Sequence, residues 1–322
     1  MIIFSKDLIN CLPKFFLYDQ KGETVFLFAT RRGGSTILSE IISKRSKKVR
    51  NIDQPFDTFD KGNYITKLRK KYLPQKKLSQ FFELDSKEST HVKKYINKLV
   101  NGKIKSYENG FAFSIKKERA ILKILNASFI ASFIYKNFNG KFIYLSRHPA
   151  SQVLSIMKNK WGLTYTAYLF NEKWCDKYMN QKQIEIALQT HKQGDYFQKC
   201  VLNWVFENLY FEKYSKFEFL HINYEDLVLH ENNVKNLLSN YIGLDLSLTN
   251  LNSPSRSIKF SDDATNRAIK INDVFFLVNK WEKELSINQK EKGQLILDTF
   301  EMFNYNFFDS KPKNISSLKN VN

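Results

Sequence analysis

Residues 24–38, TVFLFATRRGGSTIL, constrain the fold more than any other stretch of the chain. The apolar first half is typical of a buried strand, and a glycine-rich turn and a helical pattern follow it directly. A strand that leads through such a turn into a helix presents unpaired backbone N–H groups, and the helix dipole there favours an anion. The segment therefore predicts a phosphate-binding loop. The alternative interpretation is a basic surface turn before an ordinary helix.

This loop departs from the pattern G-x-x-x-x-G-K-[ST] of P-loop nucleotide-binding proteins. Ala29 stands at the position of the first glycine, and Ser35 replaces the lysine that reaches the β- and γ-phosphates. Arg31 and Arg32 precede the two glycines instead. The loop is thus predicted to bind phosphate without the lysine needed to transfer the terminal phosphoryl group of ATP.

Strand-like and helix-like patterns alternate along the chain. This alternation predicts an α/β fold with a central parallel sheet flanked by helices. One domain is expected over residues 1–309, with a helical insertion over 57–110 and a disordered tail over 310–322. A long amphipathic helix is predicted over 118–138. The predicted strands are 24–30, 49–52, 111–115, 141–146 and 217–223.

Charge and cysteine content argue against several classes of protein. The formal net charge is +19, but only nine of the 51 basic residues are Arg and the lysines are scattered, which does not indicate a nucleic-acid groove. The three cysteines have neither zinc nor disulfide-framework spacing, and a reducing, cytoplasmic location is expected. The most apolar segment, 121–135, is interrupted by Lys123 and Asn126, so no membrane span is expected.

A second motif, RHPASQVLS, runs from Arg147 to Ser155 after the apolar strand KFIYLS. Pro149 suits the first turn of a helix, which places Ser155 about two turns in and Arg147 just before the helix. The forked arginine donors and the serine hydroxyl could then reach one phosphate at the carboxyl edge of a parallel sheet. The alternative is that Arg147 pairs with a carboxylate and Ser155 lies on a helix face.

Together the two motifs resemble those of the sulfotransferases that use 3′-phosphoadenosine 5′-phosphosulfate (PAPS). The family loop P-[RK]-S-G-[ST]-[ST]-x-L is similar to residues 31–38, with Arg31 for Pro and Gly33 for Ser. The pattern R-[DNH]-P-x-x-x-x-x-S is met in full by residues 147–155. Residues 224–227 match Y-E-D-L, and Trp281 with residues 303–305 is similar to the C-terminal W…L…GY pattern. The segments 57–110 and 160–215 match no pattern of the family.

The resemblance implies transfer of a sulfuryl group from PAPS to a hydroxyl of a carbohydrate or other small metabolite, with no metal. It is closer to the carbohydrate-type members. Arg32 would hold the 5′-phosphosulfate and stabilise the charge that develops on the bridging oxygen. Arg147 and Ser155 would hold the 3′-phosphate. The implied cofactor-binding residues are Arg31, Arg32, Gly33, Gly34, Ser35, Thr36, Arg147, Ser155 and, as adenine neighbours or core residues, Tyr224 and Trp281.

The acceptor hydroxyl needs a general base. Aryl and steroid sulfotransferases use a histidine after a middle strand, and none of the five histidines here corresponds to it. Carbohydrate and tyrosine sulfotransferases place a glutamate shortly after the first helix, often before Pro, where this chain has Asp53-Gln54-Pro55. Gln54 cannot accept a proton, so Asp53 is the expected catalytic base, with Asp57 or His91 as alternatives.

Two other functions stay open. A P-loop kinase-like phosphotransferase would need the motif lysine and a carboxylate for Mg²⁺. A non-catalytic nucleotide-binding protein on the same fold would bind 3′,5′-bisphosphoadenosine (PAP), the spent cofactor, without transferring a group. The sequence does not identify the acceptor or the oligomeric state.

Overall fold

A computed structural model describes residues 22–44, 49–59, 64–104, 106, 108–109, 118–247 and 263–320. Within these ranges a seven-stranded sheet has the order β3-β2-β4-β1-β5-β6-β7. The strands are β1 (Thr24–Ala29), β2 (Val49–Asp53), β3 (Glu108–Asn109), β4 (Arg119–Ile124), β5 (Gly140–Ser146), β6 (Phe219–Asn223) and β7 (Ser317–Lys319).

Helices cover the sheet and occupy the long connections between its strands. A π-helical turn, Tyr210–Tyr214, extends α9, and 3-10 turns lie at Lys77–Ser79 and Ser128–Ile130. The α-helices are α1 (Ser35–Lys44), α2 (Tyr64–Tyr72), α3 (Ser86–Val100), α4 (Ala131–Asn137), α5 (Pro149–Lys158), α6 (Tyr165–Leu169), α7 (Glu172–Tyr178), α8 (Gln181–Gln193), α9 (Tyr196–Leu209), α10 (Tyr224–Leu229), α11 (Glu231–Ile242), α12 (Asp263–Ile271), α13 (Val274–Asn279), α14 (Trp281–Glu284) and α15 (Ile287–Thr299).

The sheet is mostly parallel. Strands β2, β4, β1, β5 and β6 run in the same direction, and only the short edge strands β3 and β7 are antiparallel to their neighbours. The carboxyl ends of the five parallel strands therefore meet at one edge, where ligands bind in folds of this kind. The predicted α/β fold with a parallel central sheet is confirmed.

Both faces of the sheet are buried, which explains the continuous apolar runs of the central strands. All six residues of β1 are buried. One face packs Phe26 and Phe28 of β1 against an aromatic cluster, and the other packs Val25 and Leu27 against an aliphatic cluster that includes α1.

The prediction of one long helix over residues 118–138 is wrong. Residues 119–124 form β4, which lies between β1 and β2 in the centre of the sheet, and the short helix α4 begins only at Ala131. The segment RAILKI contains good helix formers and no strict alternation, so its local pattern favours a helix. The segment nevertheless forms a strand in the centre of the sheet, because a strand that is buried on both faces does not need alternating apolar and polar residues.

The predicted disorder of the tail is also wrong for residues 310–320. Strand β7 extends the sheet beside β6, and the preceding residues are tied to α10. The Asp226 carboxylate accepts hydrogen bonds from the backbone N–H and the hydroxyl of Ser316, both at 2.7 Å. Polar residues that suggest a solvated tail thus find partners in Asp226 of α10 and in Asn223 at the end of β6.

The described part of the segment 57–110 carries α2 and α3. That this segment is an insertion stays a prediction. Helix α3 begins with a capping box between Asp85 and Glu88 and packs on the sheet margin through its apolar face. The Tyr95 hydroxyl donates to the Pro55 carbonyl at 2.7 Å, and Arg50 of β2 donates to the Leu99 carbonyl at 2.8 Å. The predicted strand 111–115 lies entirely outside the described residues, and it stays a prediction. No helix in the described ranges is long and apolar enough to cross a membrane.

Candidate functional site

The loop after β1 is a tight turn whose geometry requires glycine at Gly34. Gly34 has φ +92°, and a Cβ there would lie 2.4 Å from the Tyr224 ring. The Gly33 N–H donates to the Thr30 carbonyl at 3.1 Å and closes the turn. Helix α1 begins at Ser35, so its first N–H groups point out of the helix end. The Gly33 amide is therefore used within the turn, which corrects its expected contribution, and the N–H groups at the start of α1 are the candidates for contacting an anion.

The structure brings the two predicted motifs together. Arg32 donates through Nε to the Ser155 hydroxyl at 2.8 Å. Arg147 donates through Nη1 to the Arg32 carbonyl at 3.1 Å, and its guanidinium lies 4.2 Å above the Tyr224 ring. Residues that are more than 100 positions apart in sequence thus form one cluster at the N-terminus of α1.

Two cations lie side by side in this cluster, and they are partly removed from water. Burial, and then the charge of Arg147, lower the pKa of Arg32 to about 10. The buried Nε of Arg147 has no hydrogen-bond partner among the described residues. Desolvated cations are costly unless an anion pairs with them, so the cluster is suited to binding one.

Gln152 fixes the relation between the two motifs, and the sequence analysis missed it. Its buried amide donates to the Thr30 hydroxyl and to the Arg31 carbonyl, both at 2.7 Å. Trp204 of α9 donates to Gln152 Oε1 at 2.8 Å and to the Arg147 carbonyl at 3.2 Å. Helix α9, which lies in the segment 160–215, therefore supports the site through Trp204.

Arg31 does not belong to the anion site, which corrects its expected role in cofactor binding. Its guanidinium donates to the Gly162 carbonyl at 2.8 Å and pairs with the Glu207 carboxylate at 3.3 Å. Glu207 is only 5% exposed and also accepts from the Thr164 hydroxyl at 2.6 Å. Arg31 anchors the loop to α9 and to the turn before α6.

Arg31→Ala should lower the free energy of unfolding by about 1–3 kcal/mol, because it leaves the buried Glu207 carboxylate with fewer donors. Urea denaturation measures the change. Arg267→Ala, which removes an exposed arginine, is the matched control and should change the free energy of unfolding by less than about 0.5 kcal/mol. Equal stability of the two variants would show that the Arg31–Glu207 contact does not anchor the loop.

The two residues expected near an adenine differ in position. The Tyr224 ring is 7% exposed and lies against Gly34 and Arg147, within the site. Trp281 is 0% exposed and stacks on His148 with ring centroids 4.4 Å apart. Its ring has no surface left for a nucleotide, so Trp281 is a core residue and its expected role in cofactor binding is wrong.

His148 orients the helix that carries Ser155. Its Nδ1 accepts from the Ala150 N–H, and its Nε2 lies 3.0 Å from the Asn306 carbonyl. Burial lowers the pKa of His148 to about 4, so the ring is neutral and Nε2 carries the proton that the carbonyl accepts. The Glu225 carboxylate accepts from the His148 N–H at 3.0 Å. These contacts fix the start of α5 directly after Arg147.

Lys123 of β4 is a site residue that the sequence analysis missed. It is 2% exposed, and its ammonium lies 2.6 Å from Asp53 Oδ1 and 3.2 Å from the Thr36 hydroxyl. The contact with Asp53 is a close ion pair rather than an aligned hydrogen bond, because Oδ1 has no hydrogen-bond partner of good geometry. Lys123 thereby links Asp53, at the end of β2, to the first turn of α1.

The two alternative bases are placed less favourably than Asp53. The Asp57 carboxylate accepts from the Phe59 N–H in its own turn. His91 is exposed on α3, a helix whose buried face packs on the sheet margin. Asp53 is joined to the loop through Lys123.

Comparison with known proteins identifies sulfotransferase structures. No protein-family model and no curated protein matches the chain, but 16 chains of solved structures do. One is a sulfotransferase domain from the curacin biosynthetic pathway, 14% identical, with a TM-score of 0.44 over 88% of this chain and 99% of that one. Another is mouse sulfotransferase SULT7A1 complexed with PAP, 14% identical, with a TM-score of 0.38 over 89% of this chain and 86% of that one. Identities and TM-scores of this size say nothing about the activity of this chain.

Proposed function

We propose that this protein transfers the sulfuryl group of PAPS to a hydroxyl of a carbohydrate or other small metabolite. The observation that carries the proposal is the cluster of Arg32, Arg147 and Ser155 at the N-terminus of α1. These are the residues that the sulfotransferase motifs assign to the two ends of PAPS. The cytoplasmic location expected from the cysteine pattern is part of the same proposal.

The donor set of the cluster suits phosphate and sulfate oxygens. It offers two guanidinium groups, one hydroxyl and the free N–H groups at the start of α1, all of which donate hydrogen bonds. The Arg147 guanidinium, whose Nε has no hydrogen-bond partner among the described residues, is the proposed donor to the 3′-phosphate. Ser35 replaces the lysine of the P-loop pattern, and Lys123 comes from another strand instead, next to Thr36.

In the proposed reaction PAPS supplies an activated sulfuryl group. The acceptor oxygen forms a bond to sulfur while the bond from sulfur to the bridging phosphate oxygen breaks, and PAP leaves. Arg32 and the N-terminus of α1 stabilise the charge that builds on the bridging oxygen. The ammonium of Lys123, beside Thr36, adds a third cation at the same end of α1.

Asp53 is the proposed acceptor of the hydroxyl proton. Its side chain is 24% exposed, so it is accessible from the edge of the sheet. The ammonium of Lys123 lies 2.6 Å from this carboxylate and is its counter-charge. The same ion pair keeps the carboxylate near the loop in the absence of an acceptor.

Calorimetric titration tests the nucleotide first. We expect PAP to bind and ATP with Mg²⁺ to bind much more weakly. The opposite order would favour the kinase-like alternative. Incubation with radiolabelled PAPS and a cell extract, followed by identification of the labelled product, then tests transfer. Binding of PAP with no labelled product would favour the non-catalytic alternative.

Arg147→Ala should raise the dissociation constant for PAP by about 30- to 1000-fold, because a desolvated phosphate loses a charge-assisted partner worth about 2–4 kcal/mol. Calorimetry gives the constant. The matched ligand is adenosine 5′-phosphosulfate, which lacks the 3′-phosphate and should lose much less affinity. Equal losses for both ligands would contradict the assignment of Arg147 to the 3′-phosphate.

A further inference from the structure

The outer face of α3 collects basic residues that are scattered in the sequence. The buried face of this helix carries Val92, Tyr95, Ile96, Leu99 and Val100. On the opposite face lies a shallow basin of about 490 Å³, lined by four lysines together with Thr90, Asn97 and Asn101. The lysines are Lys93, Lys94, Lys98 and Lys103.

Among the residues that the structure describes, no acidic side chain lines the basin. Within the described ranges, Lys93, Lys94 and Lys103 form no ion pair with an acidic side chain. Lys98 donates to the Tyr72 hydroxyl at 3.1 Å, and this bond, followed by the charges of Lys98, Lys71 and Lys94, lowers the pKa of that hydroxyl. Lys94 and Lys98 are like charges at i, i+4, which destabilises a helix. The lysines therefore do not serve the stability of α3.

The basin begins at the end of the sheet where the candidate site lies. Tyr95, which follows Lys94, contacts Pro55, two residues after Asp53, whereas Leu99 contacts Arg50 at the other end of β2. Helix α3 thus runs antiparallel to β2, with Lys93 and Lys94 at the level of the carboxyl edge. From Thr90 to Asn101 the polar face extends about 16 Å at 1.5 Å per residue.

We propose that this basin binds a linear acidic polysaccharide whose carboxylate or sulfate groups recur along the chain. A face of this length exceeds a single small anion and matches a polymer with repeated charges. Lysine ammonium groups are point charges that accept anionic oxygens in many orientations. The side chains of Thr90, Asn97 and Asn101 between them can bond to sugar hydroxyls.

Other polyanions match the basin less well. Proteins that bind single-stranded nucleic acid combine basic grooves with exposed aromatic rings. In the described part of the chain, the residues that line the basin include neither an aromatic ring nor an arginine. Helices that lie on anionic membranes expose apolar residues, whereas the apolar residues of α3 turn into the core. That this polysaccharide supplies the acceptor hydroxyl rests on the proposed sulfuryl transfer. Its binding to the basin does not depend on that reaction.

Fluorescence anisotropy with labelled oligogalacturonate, dextran sulfate and neutral dextran of similar length tests the proposal. We expect the two acidic polymers to bind, more weakly as salt increases, and the neutral polymer not to bind. The triple variant Lys93→Gln/Lys94→Gln/Lys103→Gln should bind the acidic polymers about tenfold more weakly. The matched triple variant Lys173→Gln/Lys182→Gln/Lys192→Gln removes three exposed charges from α7 and α8 and should change binding less than about twofold.

Several outcomes would overturn the proposal. These are no binding of either acidic polymer, equal losses in the two triple variants, or binding of single-stranded RNA or phosphatidylserine vesicles as tight as that of the polysaccharides. Calorimetry with PAP on the same proteins keeps this test separate from the proposed function. Normal PAP binding without polysaccharide binding would reject the basin alone, and the reverse result would reject the cofactor site alone.

Discussion

Arg32→Ala should lower the turnover of sulfuryl transfer by about two to three decades while weakening PAP binding much less. The reason is that the Arg32 charge is needed most when the bridging oxygen becomes anionic, a charge that the ground state lacks. In the structure Arg32 is held beside Arg147 and bonded to Ser155, so its cation is in place before the substrate arrives. Steady-state kinetics with PAPS, and calorimetry with PAP, measure the two effects.

Arg32→Lys is the matched variant, because it keeps the charge and loses the forked donors. It should retain part of the turnover that Arg32→Ala loses. Retained turnover in Arg32→Ala, combined with loss in Arg31→Ala, would show that the wrong arginine of the pair has been assigned. The contact of Arg31 with Glu207 argues against that result.

The sequence predicts those parts of the fold whose local pattern agrees with their place in the sheet. Strands β1, β5 and β6 are apolar runs between turn signals, and each is followed by a motif at the carboxyl edge. Strand β4 was missed because its residues favour a helix locally, and only the neighbours β1 and β2 make it a central strand. Strand β7 was missed because it has only three residues and polar residues flank it. It forms a strand because it pairs with β6 at the edge of the sheet.

The same distinction applies to the candidate site. Arg32, Arg147 and Ser155 were predicted because short motifs fix their positions relative to a strand and a helix. Lys123 interrupts an apolar run in the sequence, and nothing local indicates that its ammonium meets Thr36 from 87 positions away. That contact exists because β4 lies between β1 and β2. The roles of Arg31 and Trp281 were wrong for the same reason, since their partners Glu207 and His148 come from distant segments.

Asp53→Asn should leave PAP binding nearly intact and reduce sulfuryl transfer by about 10²- to 10⁴-fold, the usual contribution of a positioned base. The change keeps the volume of the side chain and removes the proton acceptor. It also removes the counter-charge of Lys123, whose ammonium is almost fully buried. Loss of rate alone therefore does not separate a base from a residue that acts only by pairing with Lys123.

Lys123→Met and the double variant Asp53→Asn/Lys123→Met make that separation. If Asp53 takes the acceptor proton, the rate of Lys123→Met should still decline at acid pH, whereas the rate of Asp53→Asn should lose this decline. The double variant should also be slower than Lys123→Met alone. Urea denaturation of each variant confirms that the proteins compared are folded. Equal rates for the double variant and Lys123→Met would mean that Asp53 acts only through Lys123. The proton acceptor would then be sought among the carboxylates and histidines of residues 54–110, starting with Asp57 and His91.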